Sequence, residues 1–152
     1  MILKLSLNGR PISADIPADQ SLLDFLRAQG CYSVKRGCET SNCGLCTVWL
    51  DGAPVLSCNM PAVRAMGRSV TTLEGVRAQA EEFGGYLADQ GGDQCGFCNP
   101  GLIMNVLAME RELTDPTEAD IDEYLAGNLC RCTGFVSQKR AILAWLKRGD
   151  KE

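Results

Sequence analysis

Eight of the nine cysteines in this 152-residue chain fall into two sets of four. The first set, Cys38, Cys43, Cys46 and Cys58, is spaced C-x4-C-x2-C-x11-C, with Gly37 beside its first cysteine and Gly44 beside its second. Three thiols in one short loop and a fourth from a neighbouring element suit a group of two irons, each needing two thiolates. The spacing matches the start of the plant-type [2Fe-2S] ligand pattern. Glycines in such a loop let backbone N–H groups approach sulfur, where their hydrogen bonds stabilise a more anionic, reduced cluster. A zinc site would also use four cysteines, but its usual spacing is two C-x2-C pairs. Disulfides are not expected, because no secretory signal peptide places the chain in an oxidising compartment.

The second set is a C-x2-C pair, Cys95 and Cys98, and a C-x-C pair, Cys130 and Cys132, within Gln94-Cys95-Gly96-Phe97-Cys98 and Leu129-Cys130-Arg131-Cys132. Both pairs sit at expected helix boundaries. The partial positive charge at the start of a helix through Pro100 favours a net-negative cluster beside Cys98. A C-x-C pair crowds one face of a tetrahedron and is uncommon for zinc, although spacing alone leaves zinc open here. Cys31 is left over and reads as a small buried hydrophobe. For Arg131 two readings stand: a guanidinium that raises the potential of a cluster beside it, or an ordinary surface ion pair.

The totals narrow the chemistry. The chain has no histidine, which excludes Ser-His-Asp and Cys-His hydrolysis and also a Rieske centre, with its two histidine ligands. A net charge of −4 gives no nucleic-acid footprint, and the lack of a long apolar run gives no membrane helix. A cytoplasmic protein is expected. Electron transfer survives these exclusions because it asks no side chain to move a proton. Each half of so short a chain has a modest core, and bound metal then contributes folding free energy directly.

These sulfurs need a scaffold. Leu3, Leu5 and Leu7 alternate with Lys4 and Ser6, predicting a half-buried strand over Ile2 to Leu7. Asn8-Gly9 is a type I′ turn signal, and Ile12, Ala14 and Ile16 align in a return strand from Arg10 to Ile16. Ser21 and Asp24 suggest a capped helix that runs through Leu22, Leu23, Phe25 and Leu26 to Gly30. After the cysteine loop, Asp51-Gly52 joins Thr47–Leu50 to Pro54–Cys58, and Val70–Leu73 supplies a last strand. From about residue 75 the periodicity turns helical. Four helices are expected over Arg77–Gln90, Asn99–Leu113 with Asn99 as N-cap, Thr117–Ala126 closed by Gly127, and Ser137–Arg148. Periodicity alone gives a small α+β domain over residues 1–74 and an all-helical domain over residues 75–152.

Three motifs together, Gly37-Cys38-x4-Cys43-Gly44-x-Cys46-Thr47-Val48, Gln94-Cys95-Gly96-Phe97-Cys98-x-Pro100-Gly101 and Gly127-Asn128-Leu129-Cys130-Arg131-Cys132-Thr133-Gly134-Phe135, resemble the iron–sulfur subunit of the molybdenum hydroxylases. That group includes xanthine dehydrogenase, aldehyde oxidoreductase and carbon monoxide dehydrogenase, and the resemblance covers about residues 2 to 146. It implies an N-terminal β-grasp, plant-type ferredoxin-like domain with one [2Fe-2S] cluster on Cys38, Cys43, Cys46 and Cys58. A four-helix domain would carry a second on Cys95, Cys98, Cys130 and Cys132. It further implies a large molybdopterin-binding partner, with Gln94 and Cys132 facing the pterin edge. An FAD-binding partner would lie on the other side, in a heterotrimer or a dimer of heterotrimers. Nothing in the chain itself reads as an FAD fingerprint. Asn99 replaces the family's more usual threonine, either being a good N-cap. The loop Glu39-Thr40-Ser41-Asn42 departs from the common Gly-Glu-Gly-Gln form and leans towards xanthine-type dehydrogenases. A free-standing ferredoxin-like carrier and a zinc-stapled interaction module are the rival readings of the residues alone.

Overall fold

The computed structural model describes residues 1–150, so the last two residues of the expected second domain, 151–152, lie outside the described residues. Strand β1 (Ile2–Leu7) buries Leu3, Leu5 and Leu7 and pairs antiparallel with β2 (Arg10–Asp15), Leu5 opposite Ile12. Asn8 and Gly9, at φ 51° and 78°, make the expected turn. The return strand stops one residue early, at Asp15. Ile16 still joins the core and donates its N–H to the Met1 carbonyl at 2.9 Å.

Helix α1 (Leu22–Ala28) starts where Ser21 Oγ accepts the Asp24 N–H at 3.0 Å and stops at Gly30, whose φ of 88° suits only glycine well. It buries Leu22, Leu23, Phe25 and Leu26 against the sheet, each worth roughly 1.5–3 kcal/mol relative to exposure. Strands β3 (Thr47–Leu50), β4 (Ala53–Leu56) and β5 (Ser69–Thr71) complete a five-stranded sheet in the order β2-β1-β5-β3-β4. Only β1 and β5 run parallel. A mixed sheet gripping one helix is a β-grasp, as expected.

Two further strands end differently from the sequence reading. The last strand runs from Ser69 to Thr71, and Leu73 belongs to a 3-10 turn, Leu73–Val76. β4 ends at Leu56, and Cys58 rides a 3-10 turn, Ser57–Asn59, instead of the strand. Ser57 causes the turn: its N–H and hydroxyl both donate to the Cys46 carbonyl, at 3.3 and 2.7 Å.

The second half contains α2 (Arg77–Asp89), α3 (Asn99–Glu112), α4 (Glu118–Tyr124) and α5 (Val136–Leu146), packed around Phe83, Leu87, Val106, Met109, Ile142 and Trp145. Gly84 and Gly85 do not break α2, because Phe83 and Leu87 beside them are fully buried. Asn99 is not the N-cap of α3. It is the first helical residue, and its amide donates sideways to Asp93 Oδ1 at 2.9 Å, with Cys98 preceding it. A reciprocal Thr117–Asp120 box opens α4, which ends three residues before Gly127, and Gly127 lacks the positive φ expected of a terminator. α5 ends at Leu146, before Lys147 and Arg148. Arg148 folds back to donate to the Trp145 carbonyl at 2.9 Å and lies 3.5 Å over its ring.

The halves are joined by side chains that cross between them. Trp49 of β3 sits in the helical core, donating to the Met104 carbonyl at 2.9 Å, while Arg111 of α3 stacks 3.7 Å over its ring and donates to the Gly52 carbonyl. Among the described residues, no helix is long and apolar enough to cross a membrane.

Candidate metal centres

Cys38, Cys43 and Cys46 lie on the loop between α1 and β3, and Cys58 on the 3-10 turn after β4. The Cys38 sulfur faces the backbone N–H groups of Asn42, Thr40 and Cys43, which hold its pKa down to about 6. Cys43 neighbours Cys38; its burial pushes the thiol up, opposed by the N–H groups of Leu45 and Gly37. Burial also pushes Cys46 up to about 11, and its neighbouring sulfur is Cys58, delivered by the Ser57 turn. The sulfurs therefore meet as Cys38 with Cys43 and Cys46 with Cys58.

The second set meets likewise. The Cys95 and Cys132 sulfurs are 3.6 Å apart, and Cys98 adjoins Cys130. Burial drives Cys98 up to about 11. For Cys130 burial acts in the same direction but is outweighed by the Thr133 hydroxyl and N–H, 3.1 and 3.4 Å from the sulfur, so its pKa falls. Gly96 and Gly134, at φ 76° and 70°, turn the two loops that carry these pairs.

Pairing is the informative feature. Among the described residues, no three thiol or acid side chains converge as a single ion would require, and all nine cysteines are free thiols. Four sulfurs in two pairs match two irons at two thiolates each, whereas a lone zinc asks for one tetrahedron. The residues present fit a [2Fe-2S] group at each set. A cleft of about 500 Å³ is lined by Cys38 and Cys43 on one side and by Cys95, Cys98, Cys130 and Cys132 on the other.

The two loops touch. Leu129 N–H donates to the Cys43 carbonyl at 2.9 Å, placing the residue before Cys130 directly on a residue of the first set. Glycine permits this approach: a Cβ on Gly44, at φ 75°, would overlap the Gly127 carbonyl oxygen, and one on Gly101 would overlap the Gly44 carbonyl oxygen. Asn105 ties the seam further, donating to Asn128 Oδ1 at 2.7 Å and Thr47 Oγ1 at 3.3 Å.

Gln94 is exposed beside Cys95 and Cys132, which are also exposed, whereas Cys43 and Cys46 are buried. Phe97, Leu129 and Phe135, apolar side chains open to solvent, line the cleft with the exposed pair, and the exposed Val136 follows Phe135 at the start of α5. Arg131 is exposed and makes no ion pair among the described residues. Cys31 is buried in the β-grasp core, the same cluster that holds Cys46, and the polar groups acting on its thiol are Thr72 and Glu74. Sequence reasoning missed Gln138. It occupies an inward position of α5, four residues before Ile142 and seven before Trp145, where the stripe calls for an apolar residue.

Residues 5–68 match the family model of the 2Fe-2S iron-sulfur cluster binding domain, and residues 72–143 that of the [2Fe-2S] binding domain. The chain is 40% identical over 146 residues to the nicotinate dehydrogenase small FeS subunit of Eubacterium barkeri, covering 92% of this chain and 91% of that protein. It is 42% identical over 145 residues to the xanthine dehydrogenase iron-sulfur-binding subunit of Escherichia coli O157:H7, covering 88% and 86%. Among solved structures, quinoline 2-oxidoreductase from Pseudomonas putida 86 superposes with a TM-score of 0.85 at 33% identity, over 98% of this chain and 97% of that one. Aldehyde oxidoreductase from Desulfovibrio gigas gives 0.89 at 34% identity over 99% of this chain, but only 18% of that longer one. With two cluster-binding domains in tandem and relatives matched across nearly their full length, the chain belongs to the iron–sulfur small subunits of the xanthine dehydrogenase family of molybdenum hydroxylases.

Proposed function

We propose that this chain relays electrons from a molybdopterin centre in a large partner subunit, through its second and then its first sulfur set, to an FAD-binding partner. Its two metal-binding units divide near residue 74. Cys95, Cys98, Cys130 and Cys132 hold one [2Fe-2S] cluster, and Cys38, Cys43, Cys46 and Cys58 the other. When bound, these clusters supply one-electron storage, and the substrate chemistry belongs to the partner's cofactor. The chain's own contribution is positioning. Gln94 and Cys132 present the second set at the surface towards the pterin, while the backbone N–H groups of Asn42, Thr40 and Cys43 and the close-packed Gly44 hold the first.

The observation that carries this reading is the hydrogen bond from Leu129 N–H to the Cys43 carbonyl, which joins the two ligand loops without an intervening gap. The exposed apolar side chains around Cys132 favour a subunit over a free-standing carrier, which would keep such a patch covered.

Cys132→Ala in the assembled enzyme is the test. The variant is expected to lose turnover with the physiological acceptor while still reducing a dye that takes electrons directly at molybdenum. Normal turnover with the physiological acceptor would refute the relay, and isolation of wild-type protein with zinc instead of about four irons per chain would refute the ligand assignment.

A further inference from the structure

Gln138 is 4% exposed, on the inward face of α5 with Ala141, Ile142 and Trp145. Burying an amide costs about 1–3 kcal/mol unless its polar atoms find partners. The side-chain hydrogen bond this amide makes among the described residues runs from Nε2 to the Cys98 sulfur, at 3.6 Å. Cys98 is the more enclosed member of its C-x2-C pair, Cys95 being exposed. Leu102, Leu129 and Ile142 line a mainly apolar cavity of about 390 Å³ beside the amide; the acceptors on the same wall, Asp122 and Asn128, already take hydrogen bonds from Lys139 and Asn105. Low local polarity strengthens such a bond.

We infer that Gln138 is a positioning residue that sets the reduction potential at the second sulfur set by donating its amide N–H to the Cys98 sulfur. The inference rests on the assignment of Cys95, Cys98, Cys130 and Cys132 as cluster ligands. Reduction adds one electron and no proton, leaving the sulfurs more negative. An N–H aimed at one of them is then worth more in the reduced state than in the oxidised state, and the potential rises. Gln138 makes the second centre a better electron acceptor than the same four cysteines in an apolar shell.

The test is an anaerobic redox titration of the assembled enzyme, with mediators poised by dithionite, read by electron paramagnetic resonance. Cys132→Ser identifies the signal of the second centre. Gln138→Leu and Gln138→Met keep the volume and remove the donor. At the potential that half-reduces this centre in the wild type, each is expected to lower its reduced-to-oxidised ratio about tenfold, a shift of about 59 mV for one electron. The first centre's signal should hold its midpoint. Ile142→Val, one turn along the same face, loosens packing without touching sulfur and should leave both midpoints in place. The inference is overturned if both Gln138 variants stay within about twofold of wild type, if Ile142→Val moves the potential equally, or if both lose iron, which would make the role structural. Absence of a second reduced-iron signal in the wild type would instead bring down the ligand assignment, and the inference with it.

Discussion

At the scale of single residues, the centres depend as much on absent side chains as on sulfur. Gly44 adopts φ 75° and lies against Gly127 and Asn128, so Gly44→Ala meets two penalties. The left-handed backbone costs a side chain roughly 1–2 kcal/mol, and the forced contact about 1–3 more. Gly67, at φ 71° with open space around it, is the control that carries only the first penalty. Thermal unfolding should fall by about 10 °C for Gly44→Ala and about 3 °C for Gly67→Ala, compared at one scan rate. Equal shifts would mean that the seam yields and the close approach is unimportant. The cysteine spacing is written in the chain, and the sulfurs it groups stand together as pairs in each set. Gly44 was legible only as a loop glycine, since its neighbours Gly101 and Gly127 are distant in sequence. Gln138 was hidden by reading the α5 stripe from Ile142 onward.

At the scale of elements, strands and helices follow the periodicity closely, while their ends follow local competition for hydrogen bonds. Asn99 enters α3 as its first helical residue, one position past the N-cap, with its side-chain amide N–H held by Asp93; β4 stops short because Ser57 claims the Cys46 carbonyl twice. Neither contact shows in an apolar pattern. The connection from β5 to α2 is fixed by Glu74, whose carboxylate accepts the Ser33 N–H and hydroxyl at 3.0 and 2.6 Å and the Thr72 hydroxyl at 2.6 Å. Burial alone would raise the Glu74 pKa, but the Ser33 and Thr72 donors outweigh it and hold the carboxyl below its ordinary value. A depressed folded-state pKa stabilises the fold above the unfolded value and loses that contribution as pH falls through the folded one. Glu74→Gln should therefore cost about 1 kcal/mol, allowing for solvent screening, with a constant difference from wild type between about pH 8 and 5.5. The gap should narrow only below about pH 4.3. Urea midpoints across that range measure it, and a gap that closes already near neutral pH would contradict the assignment. Trp49→Phe deletes the bond to the Met104 carbonyl and weakens the Arg111 stack. It should lower the urea midpoint by the equivalent of about 1–2 kcal/mol, and no change would mean that the strand and α3 are held by apolar contact alone.

At the scale of the whole molecule, the two sulfur sets differ in access. The first has Cys43 and Cys46 buried and Cys38 and Cys58 half-buried; the second has Cys95 and Cys132 exposed on a face with Phe97, Leu129 and Phe135, next to which Val136 starts α5. Phe135 holds φ 71°, a conformation costly for a bulky residue and kept only where the surroundings over-determine it. Strain and exposed apolar surface on one face are what a subunit contact would use once assembled. Val136, 61% exposed, tests that without touching the interior. It starts α5, where an acid is favourable to the helix dipole, so Val136→Glu should leave the fold and about four irons per chain unchanged. Burying its charge against a partner is costly, so co-purification with the proposed large partner subunit should fall at least about tenfold, or about 1.4 kcal/mol. Arg10→Glu, exposed at the start of β2 and away from α5, changes charge by a greater amount and serves as the control. Loss of the complex in Val136→Glu but not in Arg10→Glu places the partner at the start of α5. An intact complex in Val136→Glu would mean that no partner buries Val136 and that the contact lies elsewhere.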